Sequence, residues 1–270
     1  MKETTVTQLI KARRSVRTYD GRAIEEDVVL QLLADTALCG NPFGIPVAFR
    51  FLQAKEHGLV CPVVSGTEQY VGGKVKKVPH ACTAFGYSFE MFVLQAQALG
   101  LGTVWLGGTM NRAAYEKAME LGENEMMPCA SPLGYPAQKM SMREAMMRKA
   151  IKADERFPFE SLFFDGGTTT PLSREMAGDL AVPLEMVRLA PSAVNKQPWR
   201  VIVNDGMAHF YLKRSKGFGS GDLDMQMIDM GIALCHFALA AKECGVDVEF
   251  TQNDPDLAED MEYVASYRVK

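Results

Sequence analysis

No run of apolar residues in this 270-residue chain approaches the roughly 18 that a bilayer span needs, so a membrane role is not expected. The opening MKETTVTQLI has no apolar signal core, which argues against export. The six cysteines (39, 61, 82, 129, 235, 244) form no C-x-x-C pair and keep no regular spacing. They read as reduced, mostly buried thiols of a cytoplasmic protein. The four histidines are scattered, without the spacing of metal ligands, so no metal site is expected. Basic excess is also missing: the net charge of -4 speaks against nucleic acid as a partner. There is no G-x-S-x-G, no H-E-x-x-H and no G-x-G-x-x-G, because in GLGTVWLGGT (100–109) Trp105 stands where the last glycine would fall. Hydrolytic and dinucleotide fingerprints are therefore both absent.

What is present begins with KARRSVRTYD (11–20), which crowds Arg13, Arg14 and Arg17 around Ser15 although like charges so close repel. A solvated helix end with exposed ion pairs, each worth roughly 0–1 kcal/mol, is one reading. A phosphate cradle is the other, since planar guanidinium donors match phosphate oxygens and Ser15 adds a neutral donor. In an extended segment, R-x-S-x-R would point alternate residues to one side. The stretch APSAVNKQPW (190–199) also reads two ways. It is a helix stop and turn, or a set of donors and acceptors (Ser192, Asn195, Gln197) suited to a flat heteroaromatic edge. Gly107-Gly108 either ends a strand or lets backbone approach a ligand. The patch KVKK (74–77) is expected as a solvated edge or loop, and the 17 methionines as core filler. Cys39 has no base beside it in sequence and is expected to be inert.

Periodicity predicts helices over residues 5–14, IEEDVVLQLLADTALC, SFEMFVLQAQALG, NRAAYEKAMEL, MSMREAMMRKAIK, LEMVRLAP and MQMIDMGIALCHFALAAKECG. Strands are expected in VAFRFLQA, LGTVWLGGT, PCASPLGYP, the WRVIV run and AHFYLKR. The linker DGGTTTPL, near residue 165, opens a second cycle that resembles the first in outline. LADTALCGNPFGIPVAFRF parallels VRLAPSAVNKQPWRVIV, and FVLQAQALGLGTVWL parallels CHFALAAKECGVDVEF. Two halves are expected, 1–164 and 165–270. The first keeps the arginines and the TVWLGG segment; the second keeps the polar loop. One intact site per chain is the consequence.

Together RRSVRTYD, GLGTVWLGG, LGYP (133–136) and APSAVNKQPWRVIV resemble the nitroreductase family of FMN-dependent oxidoreductases. The intact polar loop follows the GLGT-W segment here, so the chain resembles a fused version in which one polypeptide imitates the family's homodimer. The resemblance implies an α+β fold, a mainly antiparallel sheet wrapped by helices, with two related halves as a pseudo-dimer. It implies that Arg13, Ser15 and Arg17, with Arg14 contributing, contact the FMN phosphate and ribityl chain. Leu106, Gly107 and Gly108 match the segment whose backbone N–H reaches flavin N5. Arg156 matches a basic residue that helps hold the phosphate; two positions earlier, where the family often has a second one, stands Asp154. Pro191, Ser192, Ala193, Asn195 and Gln197 would line the isoalloxazine. The implied activity carries electrons from NAD(P)H to nitroaromatic, quinone or similar acceptors, with no catalytic side chain named. A dehalogenating or flavin-handling enzyme, or a non-catalytic flavin-binding protein, would use the same scaffold. A monomer is the expected state.

Overall fold

A computed structural model describes residues 4–270. In chain order the elements are α1 (Val6–Ala12), α2 (Glu26–Asp35), β1 (Ala48–Gln53), α3 (Ala54–His57), β2 (Gln69–Lys76), α4 (Ala81–Ala98), α5 (Arg112–Ala118), β3 (Glu125–Met126), β4 (Ala130–Leu133) and α6 (Met142–Ala150). They continue with β5 (Phe163–Asp165), α7 (Arg174–Ala177), α8 (Ala181–Leu189), β6 (Trp199–Asn204), β7 (Met207–Leu212), β8 (Gly219–Ser220), β9 (Leu223–Asp224), α9 (Met225–Glu243), β10 (Val248–Thr251) and β11 (Glu262–Val269). The chain forms two compact units, one of residues Ala12–Ala153 and the other of Asp154–Lys270 together with the segment ending at Lys11. The class is α+β with antiparallel-dominated sheets, as expected.

In the Ala12–Ala153 unit, β2 is central and pairs antiparallel with β1, β3 and β4. Helix α4 is apolar almost all round, and buries Phe85, Phe89 and Phe92 completely. Phe49 of β1 stacks on Phe89 and Phe92 with ring centroids 5.8 and 5.4 Å away. Each such ring stabilises the fold by about 1.5–3 kcal/mol through burial.

The other unit repeats this plan with different residues. Its sheet runs β10-β11-β7-β6-β5, antiparallel except for the β5–β6 pair. Helix α9 is its long buried helix, capped by the Asp224 carboxylate, which accepts from the N–H groups of Gln226 and Met227. Phe237 of α9 meets Phe210 of β7 edge to face at 5.3 Å. Glu243, at the end of α9, accepts from the N–H groups of Val6 and Thr7, and so ties α1 into this unit. The order helix, polar loop, strand, antiparallel strand and long buried helix thus occurs in both units: α2, β1, β2, α4 and then α8, β6, β7, α9.

The structure sharpens or corrects the reading of three segments. KVKK is not a loop: Lys74, Val75 and Lys76 form the end of β2, and each is paired on one side only, Lys74 with Ala48 of β1, and Val75 and Lys76 with Met126 and Glu125 of β3. Its charges are accommodated by Glu125, 2.7 Å from Lys74 Nζ and directly across the ladder from Lys76. LGTVWLGGT forms no ladder; it is extended chain held by single bridges, Gly102 to Gly134, Thr103 to Ser15 and Leu106 to Ala130. Strand β11, unforeseen in the sequence, lies between β10 and β7.

Candidate functional site

The arginine segment is threaded into the Ala12–Ala153 unit by its backbone. Val16 N–H donates to Thr103 O at 2.9 Å, Tyr19 N–H to Ser65 O at 2.9 Å and Asp20 N–H to Tyr135 O at 3.0 Å. Two glycines make room for it. A Cβ on Gly102 would stand 2.8 Å from the Val16 side chain, and one on Gly66, whose φ is +82°, would stand 2.2 Å from Tyr19 O. The Tyr19 hydroxyl donates back to Val16 O at 2.9 Å, closing the segment on itself.

Two buried carboxylates hold the arginines. Glu90 of α4, fully buried, lies 4.0 Å from Arg13 Nε and accepts from Trp105 Nε1 at 3.1 Å. Glu144 of α6 accepts from Arg14 Nη1 at 3.2 Å, from the Arg17 N–H at 3.2 Å and from the Thr18 hydroxyl at 2.8 Å. S-M-R-E at 141–144 has the spacing of a capping box, and Ser141 does cap the Glu144 N–H at 3.2 Å. The glutamate itself is turned to the arginine segment. A neighbour that sequence reasoning missed is Arg148, one helical turn beyond Glu144, whose Nη1 lies 3.5 Å from Ser15 O.

This arrangement leaves strong donors without acceptors. Nε and Nη1 of both Arg13 and Arg17 are buried and make no hydrogen bond among the described residues. The Arg13 side chain is only 5% exposed. Burial pulls the pKa of Arg13 and of Arg17 below the usual guanidinium value; Glu90 and Glu144 respectively oppose this, and the charge of Arg148 adds to it. Buried polar groups are normally satisfied, so such donors mark a place for an anion.

Leu106, Gly107 and Gly108 lie in the same unit. Both backbone groups of Leu106 are taken by Ala130, and Gly107 O accepts from Arg112 Nη2 at 2.6 Å. A Cβ at Gly108 would meet open space. Burial, and the charge of Asp35 after it, push the Cys39 thiol up to about 12, which disfavours the thiolate.

Pro191, Ser192, Ala193, Asn195, Gln197 and Arg156 come together in the other unit. Their side chains are used largely on one another. Ser192 Oγ accepts from Gln197 N–H at 2.8 Å, and Gln197 Oε1 accepts from Phe157 N–H at 2.9 Å. Asn195 donates to Glu155 O at 3.0 Å and accepts from Arg156 Nη1 at 3.3 Å. Positive φ at Val194, Asn195 and Gln197 (43°, 58° and 48°) gives the loop its tight form. Asp229 of α9, another residue absent from the sequence reading, receives Ala193 N–H on both carboxylate oxygens, at 3.0 and 3.2 Å.

A family model described as "Putative TM nitroreductase" matches residues 5–241. A "Putative NADH dehydrogenase/NAD(P)H nitroreductase" of Methanothermobacter thermautotrophicus is 26% identical over 158 residues, which are 52% of this chain and 81% of that protein. The crystal structure of a "putative nitroreductase" from Thermotoga maritima aligns with 100% of this chain and 94% of its own, at a TM-score of 0.65 and 20% identity. At that identity the likeness concerns the fold. The family match runs through the arginine segment, the 102–108 bridges and the 191–197 loop alike, and the chain belongs to the nitroreductase family.

Proposed function

We propose that this chain is an FMN-dependent oxidoreductase that takes electrons from NAD(P)H and delivers them to a nitroaromatic, quinone or similar small acceptor. Family membership supports the reaction class. The printed name of the Methanothermobacter relative supports NAD(P)H as donor. The observation that carries the cofactor is the set of buried guanidinium N–H groups on Arg13 and Arg17 that lack acceptors. A phosphomonoester fits them: it offers three acceptor oxygens and close to two negative charges, and it would offset the repulsion among the arginines.

In this reading Arg13, Ser15 and Arg17 bind the phosphate, Arg14 contributes, and Glu90 and Glu144 hold the guanidiniums in place. Leu106 fixes its stretch of chain on Ala130, while Gly107 and Gly108 present backbone toward the ring. Pro191, Ser192, Ala193, Asn195 and Gln197 are assigned to the isoalloxazine by the family resemblance, and Arg156, which donates to Asn195, is assigned by it to the phosphate. Bound FMN would supply the redox chemistry, with protein groups providing position and electrostatics. The arginine cluster occurs once, which supports one FMN per chain; a monomer, as an internal pseudo-dimer, is the proposed working unit.

The test is direct. Purified protein is expected to be yellow with one FMN per chain, to bleach with NAD(P)H and to recover with a nitroaromatic or quinone. Colour without bleaching would show a flavin-binding protein instead, and failure to take up added FMN would refute both.

A further inference from the structure

We infer that Arg112 is a positioning residue of the proposed flavin site: by gripping the Gly107 carbonyl it turns the Gly108 N–H outward, where it can donate to a ring nitrogen. The inference rests on the proposed FMN reading and concerns a residue that no motif in the sequence points to.

Arg112 opens α5, and its guanidinium is spread over three backbone carbonyls. Nη1 donates to Met127 O at 2.7 Å, while Nη2 donates to Gly107 O at 2.6 Å and to Pro128 O at 3.1 Å. Met127 and Pro128 lie between β3 and β4, so the arginine ties the 107–108 turn to the sheet. Leu106, one residue earlier, is fixed on Ala130 of β4 through both of its backbone groups. Beyond the turn, Thr109 O accepts from the Cys61 thiol at 3.3 Å, and Asn111 Oδ1 accepts from the Val60 N–H at 2.9 Å. The turn is therefore gripped mainly by its carbonyl oxygens.

Its donors are left over. The N–H groups of Gly107 and Gly108 make no hydrogen bond among the described residues, and Gly108 is exposed, with open space where a Cβ would stand. A trans peptide points its C=O and its N–H in opposite directions. Gly107 O and Gly108 N–H belong to one trans peptide unit, so the hold of Arg112 on the oxygen directs the hydrogen away from the guanidinium. A lysine ammonium is a point donor, whereas the planar fork reaches carbonyls of two segments at once. Within the FMN reading, an unprotonated ring N5 accepts from such an N–H, and an N5 that carries hydrogen after reduction does not. A well-placed Gly108 N–H therefore favours oxidised over reduced FMN by the worth of one hydrogen bond. Loosening the turn removes that preference.

The experiment measures the affinity of the apoprotein for oxidised and for reduced FMN, and the midpoint potential of the bound flavin, in wild type, Arg112→Lys, Arg112→Gln and Glu116→Gln. Glu116 lies 3.5 Å from Arg112 Nη1, and its variant leaves the grip on the carbonyls in place, so it serves as the control. Both Arg112 variants are expected to lose about fivefold or more affinity for oxidised relative to reduced FMN, a rise in potential of about 20 mV. Glu116→Gln should match wild type. A ratio within about twofold of wild type in both Arg112 variants, a shift of opposite sign, or a shift in Arg112→Gln that Arg112→Lys cancels would overturn the inference. Should neither Arg112 variant fold, Gly108→Pro, which deletes the N–H and keeps the Gly107 carbonyl, must give the same shift; an unchanged ratio overturns the inference. Should wild type take up no flavin, the FMN reading fails, and the turn is read in the apoprotein from the amide NMR shifts of Gly107 and Gly108. Movement of both in Arg112→Lys, with the Gly245 amide unmoved, still supports the positioning role of Arg112; shifts equal to wild type overturn it.

Discussion

The two polar segments that stand out in the sequence are built on opposite plans. Residues 13–17 are held from outside, by Glu90 and Glu144, and leave guanidinium donors buried without acceptors. Residues 191–197 hold themselves, with serine, asparagine and glutamine closing on backbone and on Arg156, and with Asp229 receiving Ala193 N–H. A self-satisfied loop is a scaffold whose shape is fixed before any ligand arrives. A segment with unmet donors is a receptor, less stable alone than it would be when filled.

The largest effect expected from breaking this contrast is at Glu144. Glu144→Ala removes three hydrogen bonds and the anion that faces two arginines, and should lower stability by about 3 kcal/mol in denaturant unfolding. A loss below about 1 kcal/mol would mean that the arginine segment holds itself, as the loop does. Next comes Arg17→Ala, with a loss of FMN binding of about 1.5–3 kcal/mol in a fluorescence titration. The same variant should leave apoprotein stability intact, because it removes buried donors that lack acceptors. Lowered apoprotein stability with full FMN affinity would reverse the assignment.

Asn195→Ala should act the other way round. It costs about 1 kcal/mol of stability through lost hydrogen bonds, and reduces FMN affinity less than Arg17→Ala does. The smallest effect, near zero at acid pH, is expected from Asp229→Asn. Burial holds the Asp229 carboxyl well above its ordinary value; the Ala193 N–H opposes this and Asp224 adds to it. A carboxyl raised in the folded state contributes its full stability below about pH 4, the unfolded value, and loses it as pH rises toward the folded value. Wild type and Asp229→Asn should therefore unfold alike near pH 4, with the variant gaining relative stability toward pH 8. Parallel stability curves across that range would show that the Asp229 titration does not weaken the fold.

Much of this was legible in the sequence, for identifiable reasons. Helices α4 and α9 declare themselves as long apolar segments ending near a glycine, and WRVIV and AHFYLKR read as a strand pair. Strand β11 was hidden because four consecutive residues, Val264 to Tyr267, are all buried, and alanine and serine among them erase the alternation. Its serine is buried because it meets the His209 ring at 2.7 Å across the ladder, a partnership that sequence spacing does not show. KVKK was legible as an edge, since each of its strand residues is paired on one side only, while only the neighbouring strand reveals Glu125. The arginine cluster was visible as a cluster, but Arg148 was not, since an arginine on a short helix ordinarily faces water. One signal was available: Glu144 and Arg148 lie four apart in a helix whose other residues gave no reason for the pair. Asp229 offered a similar clue, as an acid within the apolar run MQMIDMGIALC.

Lys11 and Ala12 are joined by one peptide bond yet fall in different compact units, with α1 seated on Glu243. The chain therefore passes between the two units twice, once on each side of Ala12–Ala153. A single protease nick after Ala153 would strand α1 on the fragment that does not contain its seat. Such a nicked protein should migrate as one particle on a native gel and as two bands once denatured.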